Sequence, residues 1–284
     1  MLKGNHWLLH SNYAEAERMF RKAISSNWSA PIPHNQLGLV LQYQGKSDDA
    51  MAQFQRVVGI GPHSWLGYNN IGWVLSAAGK VDQAIANYRH SIELNPRYAL
   101  AYNNLALALG REGHPDQAIA EYRRAILVEP KYLYAHWNLA AALQSQRDFD
   151  GAIGEYRSAL DCTKDTRQRA ILHTSVGDVL MDKAAGVSVK LDEAIVEYTR
   201  ALDIDPTYSW AHYNLGLVLR AQGKLDDAIT EFGSAVQHAN DASAKKTAED
   251  DLAKAMQAKE AAAPTQAAAE TATHPLESIP SVEK

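Results

Sequence analysis

The chain has 284 residues, a formal net charge of −5 and one cysteine, Cys162. The mild acidity argues against a general nucleic-acid binder, which needs a basic stripe to displace counterions, and the lone thiol excludes an intrachain disulfide or a multi-cysteine zinc site. No apolar run is long enough to cross a membrane, and residues 1–10 (MLKGNHWLLH) lack the apolar core of a signal peptide, so a chain that starts at Met1 is expected in the cytoplasm.

Read from the N-terminus, the sequence repeats. Ala16, Ala50, Ala84, Ala118 and Ala152 stand 34 residues apart, and Ala194 and Ala228 continue the series after two small insertions. An aromatic follows each alanine by four residues: Phe20, Phe54, Tyr88, Tyr122, Tyr156, Tyr198 and Phe232. Twelve residues before the first five alanines lie Gly4, Gly38, Gly72, Ala106 and Ala140; the sixth copy has Gly177, displaced by an insertion, and the seventh Gly216. A fixed period of this length means stacked copies of one supersecondary unit. Such a chain offers an extended binding surface, not a pocket for chemistry.

Residues 65–96 show what one copy encodes. Tyr68, Ile71, Gly72 and Leu75 recur at spacings of three and four, one face of a helix. Gly79, with Lys80 and Asp82 beside it, marks a turn. Ala84, Ile85, Tyr88, Ser91 and Ile92 form a second stripe, and Asn95-Pro96 ends it, because the residue before proline leaves the helical region. Each copy is therefore a helix hairpin. Its small residues allow the two axes to approach to about 8–10 Å, with Gly72 expected against Ala84 and Tyr88 filling the space beside them. A single hairpin cannot bury both stripes, so the units stack.

The units fall at about 1–28, 31–62, 65–96, 99–130, 133–164, 170–206 and 209–240. The first lacks the opening of its first helix, and Lys3 occupies an apolar place. The fifth ends in Lys164 instead of proline, and a connector, Asp165–Arg169, is expected after it. Five extra residues around Ala184–Val189 are expected to lengthen the turn of the sixth. Residues 241–263, with Ala248, Leu252, Ala255 and Met256 on one face, read as a helix that caps the last hairpin. The polar, proline-bearing tail at 264–284 is expected to be disordered.

These residues resemble the tetratricopeptide repeat family. Tyr102, Leu105, Ala106, Leu109, Ala118, Tyr122, Ala125 and Pro130 fit its pattern in full, and the resemblance covers residues 1–240. It implies an all-α, right-handed superhelical solenoid of about seven helix-turn-helix repeats with a C-terminal capping helix.

Nothing in the sequence marks a catalyst or a cofactor site. There is no His-Glu-x-x-His, phosphate-cradling loop or nucleophile elbow. His34, His136, His173 and His212 occupy the place held elsewhere by Tyr68 and Tyr102, so they read as packing residues rather than metal ligands. Asp48-Asp49 and Asp226-Asp227 open second helices, where negative charge favours the helix dipole. No enzyme activity, cofactor or metal is expected.

Asparagine recurs where propensity does not explain it. Asn70, Asn104, Asn138 and Asn214 lie two residues before the small Gly/Ala, with Gln36 and Ser175 in that place in the second and sixth units. In the family, first helices line a concave groove, and this run resembles the repeats of O-linked N-acetylglucosamine transferases, where an asparagine ladder grips a peptide backbone. The catalytic part of such transferases is absent from the sequence. Each amide offers donor and acceptor together. The alternative is that the amides tie neighbouring first helices together or stay hydrated. Asn69, Asn103, Trp137 and Tyr213 precede the ladder by one residue, and Trp73 follows it by three. Relatives that clamp a chaperone's C-terminal carboxylate carry lysine and arginine where this chain has Leu66, Leu100 and Tyr134, then Asn70, Asn104 and Asn138, so that ligand is rejected.

The expected function is a protein-interaction scaffold. It would hold an extended peptide through Asn70, Asn104, Asn138, Asn214, Gln36, Asn69, Asn103, Trp73, Trp137 and Tyr213. The alternatives are self-association through Trp7, Leu8 and Leu9 of the incomplete first unit, or service as the binding arm of a larger enzyme such as a glycosyltransferase.

Overall fold

A computed structural model describes residues 12–184 and 188–272. Trp7, Leu8 and Leu9 of the expected self-association end, the opening of the first repeat and the last twelve residues of the tail lie outside the described residues. The chain divides into two compact units, 1–148 and 149–284. Among the described residues there are helices and no strands. The first unit holds α1 (Tyr13–Ser26), α2 (Pro31–Tyr43), α3 (Ser47–Ile60), α4 (Trp65–Ala77), α5 (Val81–Leu94), α6 (Ala99–Glu112), α7 (Pro115–Val128) and α8 (Leu133–Ser145). The second holds α9 (Phe149–Cys162), α10 (Thr166–Ala184), α11 (Ser188–Ile204), α12 (Ser209–Ala221), α13 (Leu225–His238) and α14 (Ala242–Ala272). Within each unit consecutive helices pack on one another as stacked hairpins.

The third repeat shows how sequence sets the hairpin. Ser64 caps α4 by accepting from the Gly67 N–H at 3.3 Å. The helix stops at Gly79, which takes φ +74° and lets the Lys80 N–H reach back to the Leu75 carbonyl at 2.9 Å, the bond that closes a helix C-terminus. Asp82 then sits in the first turn of α5. The same closing bond recurs from Lys46 to Leu41, His114 to Leu109, Asp148 to Leu143 and Lys224 to Leu219, each at 2.9 Å.

The periodic alanines form the seam. Ala16, Ala50, Ala84, Ala152, Ala194 and Ala228 are fully enclosed and Ala118 nearly so. The close approach to Gly72 comes from the Tyr88 ring and not from Ala84: a Cβ on Gly72 would stand 2.7 Å from Tyr88 Cε1. Phe54 over Gly38, Tyr198 over Gly177 and Phe232 over Gly216 repeat the arrangement. The glycine makes room for a ring projected from the helix opposite.

Three boundaries differ from the sequence reading. The connector expected at Asp165–Arg169 is the first turn of α10, because Asp165 caps it by accepting from the Gln168 N–H at 2.8 Å. The described part of the insertion in the sixth repeat goes into helix: α10 runs two residues further past Gly177 than α4 does past Gly72, and α11 starts three residues further ahead of Ala194 than α5 does of Ala84, while residues 185–187 lie outside the described residues. The C-terminal helix runs past Ala263 and through Pro264 to Ala272, in a segment rich in alanine, glutamine and glutamate, which are strong helix formers.

Candidate functional site

First helices of successive repeats lie side by side: α2, α4, α6 and α8 in the first unit, α10 and α12 in the second. On α2, Ile32, Gln36, Leu39 and Tyr43 form one helical stripe. α4 places Leu66, Asn70 and Trp73 in the same positions, α6 Leu100, Asn104 and Leu107, and α8 Tyr134, Asn138 and Ala141. An amide row thus runs between two apolar rows. Several of the apolar side chains are uncovered: Ile32 is 50% exposed, Leu66 36%, Tyr134 52% and Tyr43 57%.

The asparagines bond to one another. Asn138 Nδ2 donates to Asn103 Oδ1 at 2.9 Å, and Asn103 Nδ2 points to Asn104 Oδ1 at 3.5 Å. Asn104 Nδ2 donates to Asn69 Oδ1 at 3.0 Å, Asn69 to Asn70 at 3.1 Å and Asn70 to Asn35 at 2.7 Å. One relay of amides therefore passes through four first helices. Asn35, Asn69, Asn70 and Asn103 are buried between helices, and Asn104 and Asn138 are half-buried. The ties between neighbouring helices are thus present. Asn70 and Asn104 spend one N–H and one lone pair each on the relay, and a primary amide has two of each, so one donor and one acceptor remain.

At the end of the relay Gln36 is half-buried, and its enclosed Oε1 accepts no hydrogen bond. Gln36 also lines a cavity of about 340 Å³ with Pro31, Ile32, Asn35, Val57, Ser64 and Leu66. Trp73 is half-buried, 5.6 Å edge-on from the Tyr43 ring, which stacks on Tyr13 at 6.0 Å. Trp137 is half-buried beside Asn138.

The second unit uses different chemistry. Thr174 and Ser175 turn their hydroxyls onto their own helix, at the Ala170 and Ile171 carbonyls. Asn214 instead donates to Asp178 Oδ1 at 2.7 Å, and the Tyr198 hydroxyl donates to the same oxygen at 2.8 Å. Burial pushes the Asp178 carboxyl up to about 6, against the pull of those two donors. The Tyr213 hydroxyl donates to Asp251 Oδ2 at 2.8 Å. Burial opposes ionisation of Asp251, but Arg220, Lys254 and Tyr213 outweigh it and hold the carboxyl down at about 2. Trp210, 48% exposed, lies 5.5 Å from the Tyr213 ring. A second cavity, of about 320 Å³, is lined by Trp210, Tyr213, Ala235 and Asp241 among others.

The histidines are clasps. His34, His136 and His212 each place Nε2 2.8–3.1 Å from the carbonyl six residues earlier, at Trp28, Pro130 and Pro206. His173 and His212 pair through Nδ1 with Glu197 and Glu231 on the second helix of their repeat. Tyr102 reaches the Pro96 carbonyl in the same way.

The structure brings Gln36, Asn70, Asn104 and Asn138 into one row and Asn69 and Asn103 behind it, while Tyr213 and Asn214 belong to the second unit. Leu66, Leu100 and Tyr134 count in the sequence against a carboxylate ligand, but they and Ile32 and Trp210 are not among the residues expected to hold a peptide. Their signal was the repeat itself: Ile32, Leu66, Leu100 and Tyr134 stand 34 residues apart.

A chain of stacked helix hairpins that presents a periodic face of first-helix side chains is a helical-repeat protein. Tetratricopeptide-repeat family models match residues 72–113 and 190–220, 103–165, and 209–232. The chain is a tetratricopeptide-repeat protein. A search of curated protein sequences finds no match. Among solved structures it is similar to Cut9 in the Cut9–Hcn1 hetero-tetramer of the APC/C (17% identity, TM-score 0.64, 84% of this chain and 45% of the other). It is similar to yeast Tom70 (17%, 0.64, 93% and 63%). It also resembles YrrB, a repeat protein described as having an unusual peptide-binding site (18%, 0.50, 68% and 95%). The chain spans about half the length of Cut9 and under two thirds of Tom70. At this identity the likeness shows the fold. No helix among the described residues is long and apolar enough to cross a membrane.

Proposed function

We propose that the chain is a protein-interaction scaffold, without catalysis of its own, that holds an extended peptide along the first-helix face. The observation that carries this reading is the Gln36 cavity. An enclosed, unpartnered carbonyl oxygen stands beside exposed Ile32 and Leu66. A turn of the Gln36 side chain, which lines the cavity, would bring that oxygen to a peptide N–H while an apolar side chain filled the space. Half-buried Asn104 adds the donor and acceptor that the relay does not use, suited to a peptide backbone and indifferent to its sequence. The peptide-binding description of YrrB is in keeping with this use of the fold.

Magnitudes divide the labour. A net hydrogen bond contributes about 0.5–1.5 kcal/mol, and ordering a disordered segment costs roughly 2–5 kcal/mol. Amides alone leave little surplus. Burying an apolar side chain adds about 1.5–3 kcal/mol, so two or three in the Ile32, Leu66 and Tyr134 row supply most of the favourable free energy, and the affinity expected is of micromolar order. The test is selection of short random displayed peptides on the full chain, then calorimetry of the winners. Leu66→Asp is expected to weaken them at least tenfold, and the triple change of Asn70, Asn104 and Asn138 to alanine several-fold. Unchanged affinity in a protein of intact helical spectrum, or no peptide selected at all, sinks the reading.

A further inference from the structure

The two cavities described above hold the same place in the repeat. Each opens at the start of a first helix, between that helix and the next one of its class. Ile32, Asn35 and Val57 line one. Trp210, Tyr213 and Ala235, their counterparts 178 residues on in sequence, line the other. Their sizes are alike, about 340 and about 320 Å³. Their walls are not. The first holds proline, isoleucine, valine and leucine with neutral polar groups and no ionisable side chain. The second is walled by Trp210 and Tyr213 and carries one charge, Asp241, with the hydroxyls of Ser243 and Thr247 as further acceptors.

We propose that the second cavity takes a basic side chain, lysine or arginine, of a bound peptide, whereas the first takes an apolar one. The inference rests on the peptide-binding reading and adds to it a rule for what the peptide must carry. An ammonium or guanidinium group is attracted to the face of an indole or phenol ring, most strongly to tryptophan. Trp210 is about half exposed, so its ring is available. Asp241 is exposed, and one of its oxygens is taken by the Ala244 N–H at 2.8 Å, where it caps α14. The charge stays at the cavity and no lysine or arginine lines the wall to neutralise it. Arg220 and Lys254 are bound to Asp251 at 2.8 and 3.0 Å. An acidic side chain would meet Asp241 and be repelled, and an aliphatic one would leave the charge without a partner.

Asp241 allows a clean test. Asparagine caps a helix as well as aspartate does, so Asp241→Asn removes the charge and keeps the start of α14. Short random displayed peptides are selected on the full-length wild type, on Asp241→Asn and on Trp210→Ala, and the selected sequences are compared. The wild type is expected to enrich one group of peptides that carries lysine or arginine and another that is apolar. Both variants are expected to lose the basic preference and keep the apolar one, and a basic wild-type winner is expected to bind Asp241→Asn about two- to fivefold more weakly. Apolar enrichment with no basic preference in the wild type overturns this inference and leaves the peptide-binding reading standing. A basic preference that survives in both variants overturns it as well. Failure to select any peptide removes both.

Discussion

Asn69 is almost fully enclosed and bonded on both sides: it accepts from Asn104 and donates to Asn70. Alanine at this place strands a donor on one neighbour and an acceptor on the other. Leaving buried polar groups unpaired costs about 1–3 kcal/mol, so Asn69→Ala should lower stability by about 2 kcal/mol in urea unfolding. Asn104→Ala removes the donor that Asn69 serves. The double variant should therefore lose less than the sum of the single losses, with coupling of about 1 kcal/mol; strict additivity would mean that the relay has no energetic reality. The recurrence of asparagine was visible in the sequence. The choice of partner was not, because each relay bond between repeats spans 35 residues and not 34. The position before the ladder in one repeat meets the ladder position of the next, and only the crossing of neighbouring helices decides that. Asp178 was equally opaque: the repeat puts it three residues after the ladder, where Trp73 stands in the third unit, but Tyr198 and Asn214 converge on it from two other helices.

Among the described residues, turns between the two helices of a repeat obey one rule with one departure. Gly45, Gly79, Gly113 and Gly223 adopt φ between +74° and +91°, a left-handed conformation that glycine reaches without a Cβ penalty. The fifth repeat places Arg147 there at φ +64°. For a residue with a Cβ this conformation costs roughly 1–2 kcal/mol, part of which glycine gives back through the larger entropy of its unfolded chain. Arg147→Gly should raise stability by about 0.5 kcal/mol and lift the thermal midpoint slightly. Arg147→Ala keeps the strained backbone and should not. Equal behaviour of the two variants would show that the arginine side chain, and not the backbone, governs the turn. Element identity was the most legible level, since the alanine and aromatic periods place the described hairpins, and the glycine turns stand where the sequence puts them. Boundaries were less legible where the period breaks. The insertion in the sixth repeat reads as loop, but an added residue that keeps its i to i−4 bond costs less as helix than as exposed turn, and its described residues extend the end of α10 and the start of α11.

At the scale of the whole chain, the net charge of −5 sits on a fold whose second unit contains carboxylates shifted in opposite directions, and pH separates them. The Asp178 carboxyl, pushed up to about 6 by burial despite the Tyr198 and Asn214 donors and helped by the charge of Asp182, holds a proton that the unfolded chain releases near the ordinary value of about 3.9. Its contribution is greatest below about 4 and is lost as pH rises to about 6. His212 acts in the same sense. Burial opposes its charge, but the hydrogen bonds to Glu231 and to the Pro206 carbonyl raise its pKa, since both ring nitrogens face acceptors. Its stabilisation is complete below the unfolded value and lost as pH rises through the folded one. Asp251, held down at about 2 by Arg220, Lys254 and Tyr213 against its burial, stabilises above about 4 and lets go as pH falls towards 2. The thermal midpoint should therefore rise on acidification from pH 7 to 5, where Asp178 and His212 both favour the folded state, and fall below pH 4 as Asp251 protonates. Asp178→Asn keeps an oxygen to accept from Tyr198 and Asn214 and removes the titration, so it should flatten the rise. Asp250→Asn, at an exposed position of α14, changes net charge equally and should not. A rise of the same size in Asp178→Asn and in the wild type would assign the effect to relief of overall repulsion, not to the buried carboxyl beside Trp210.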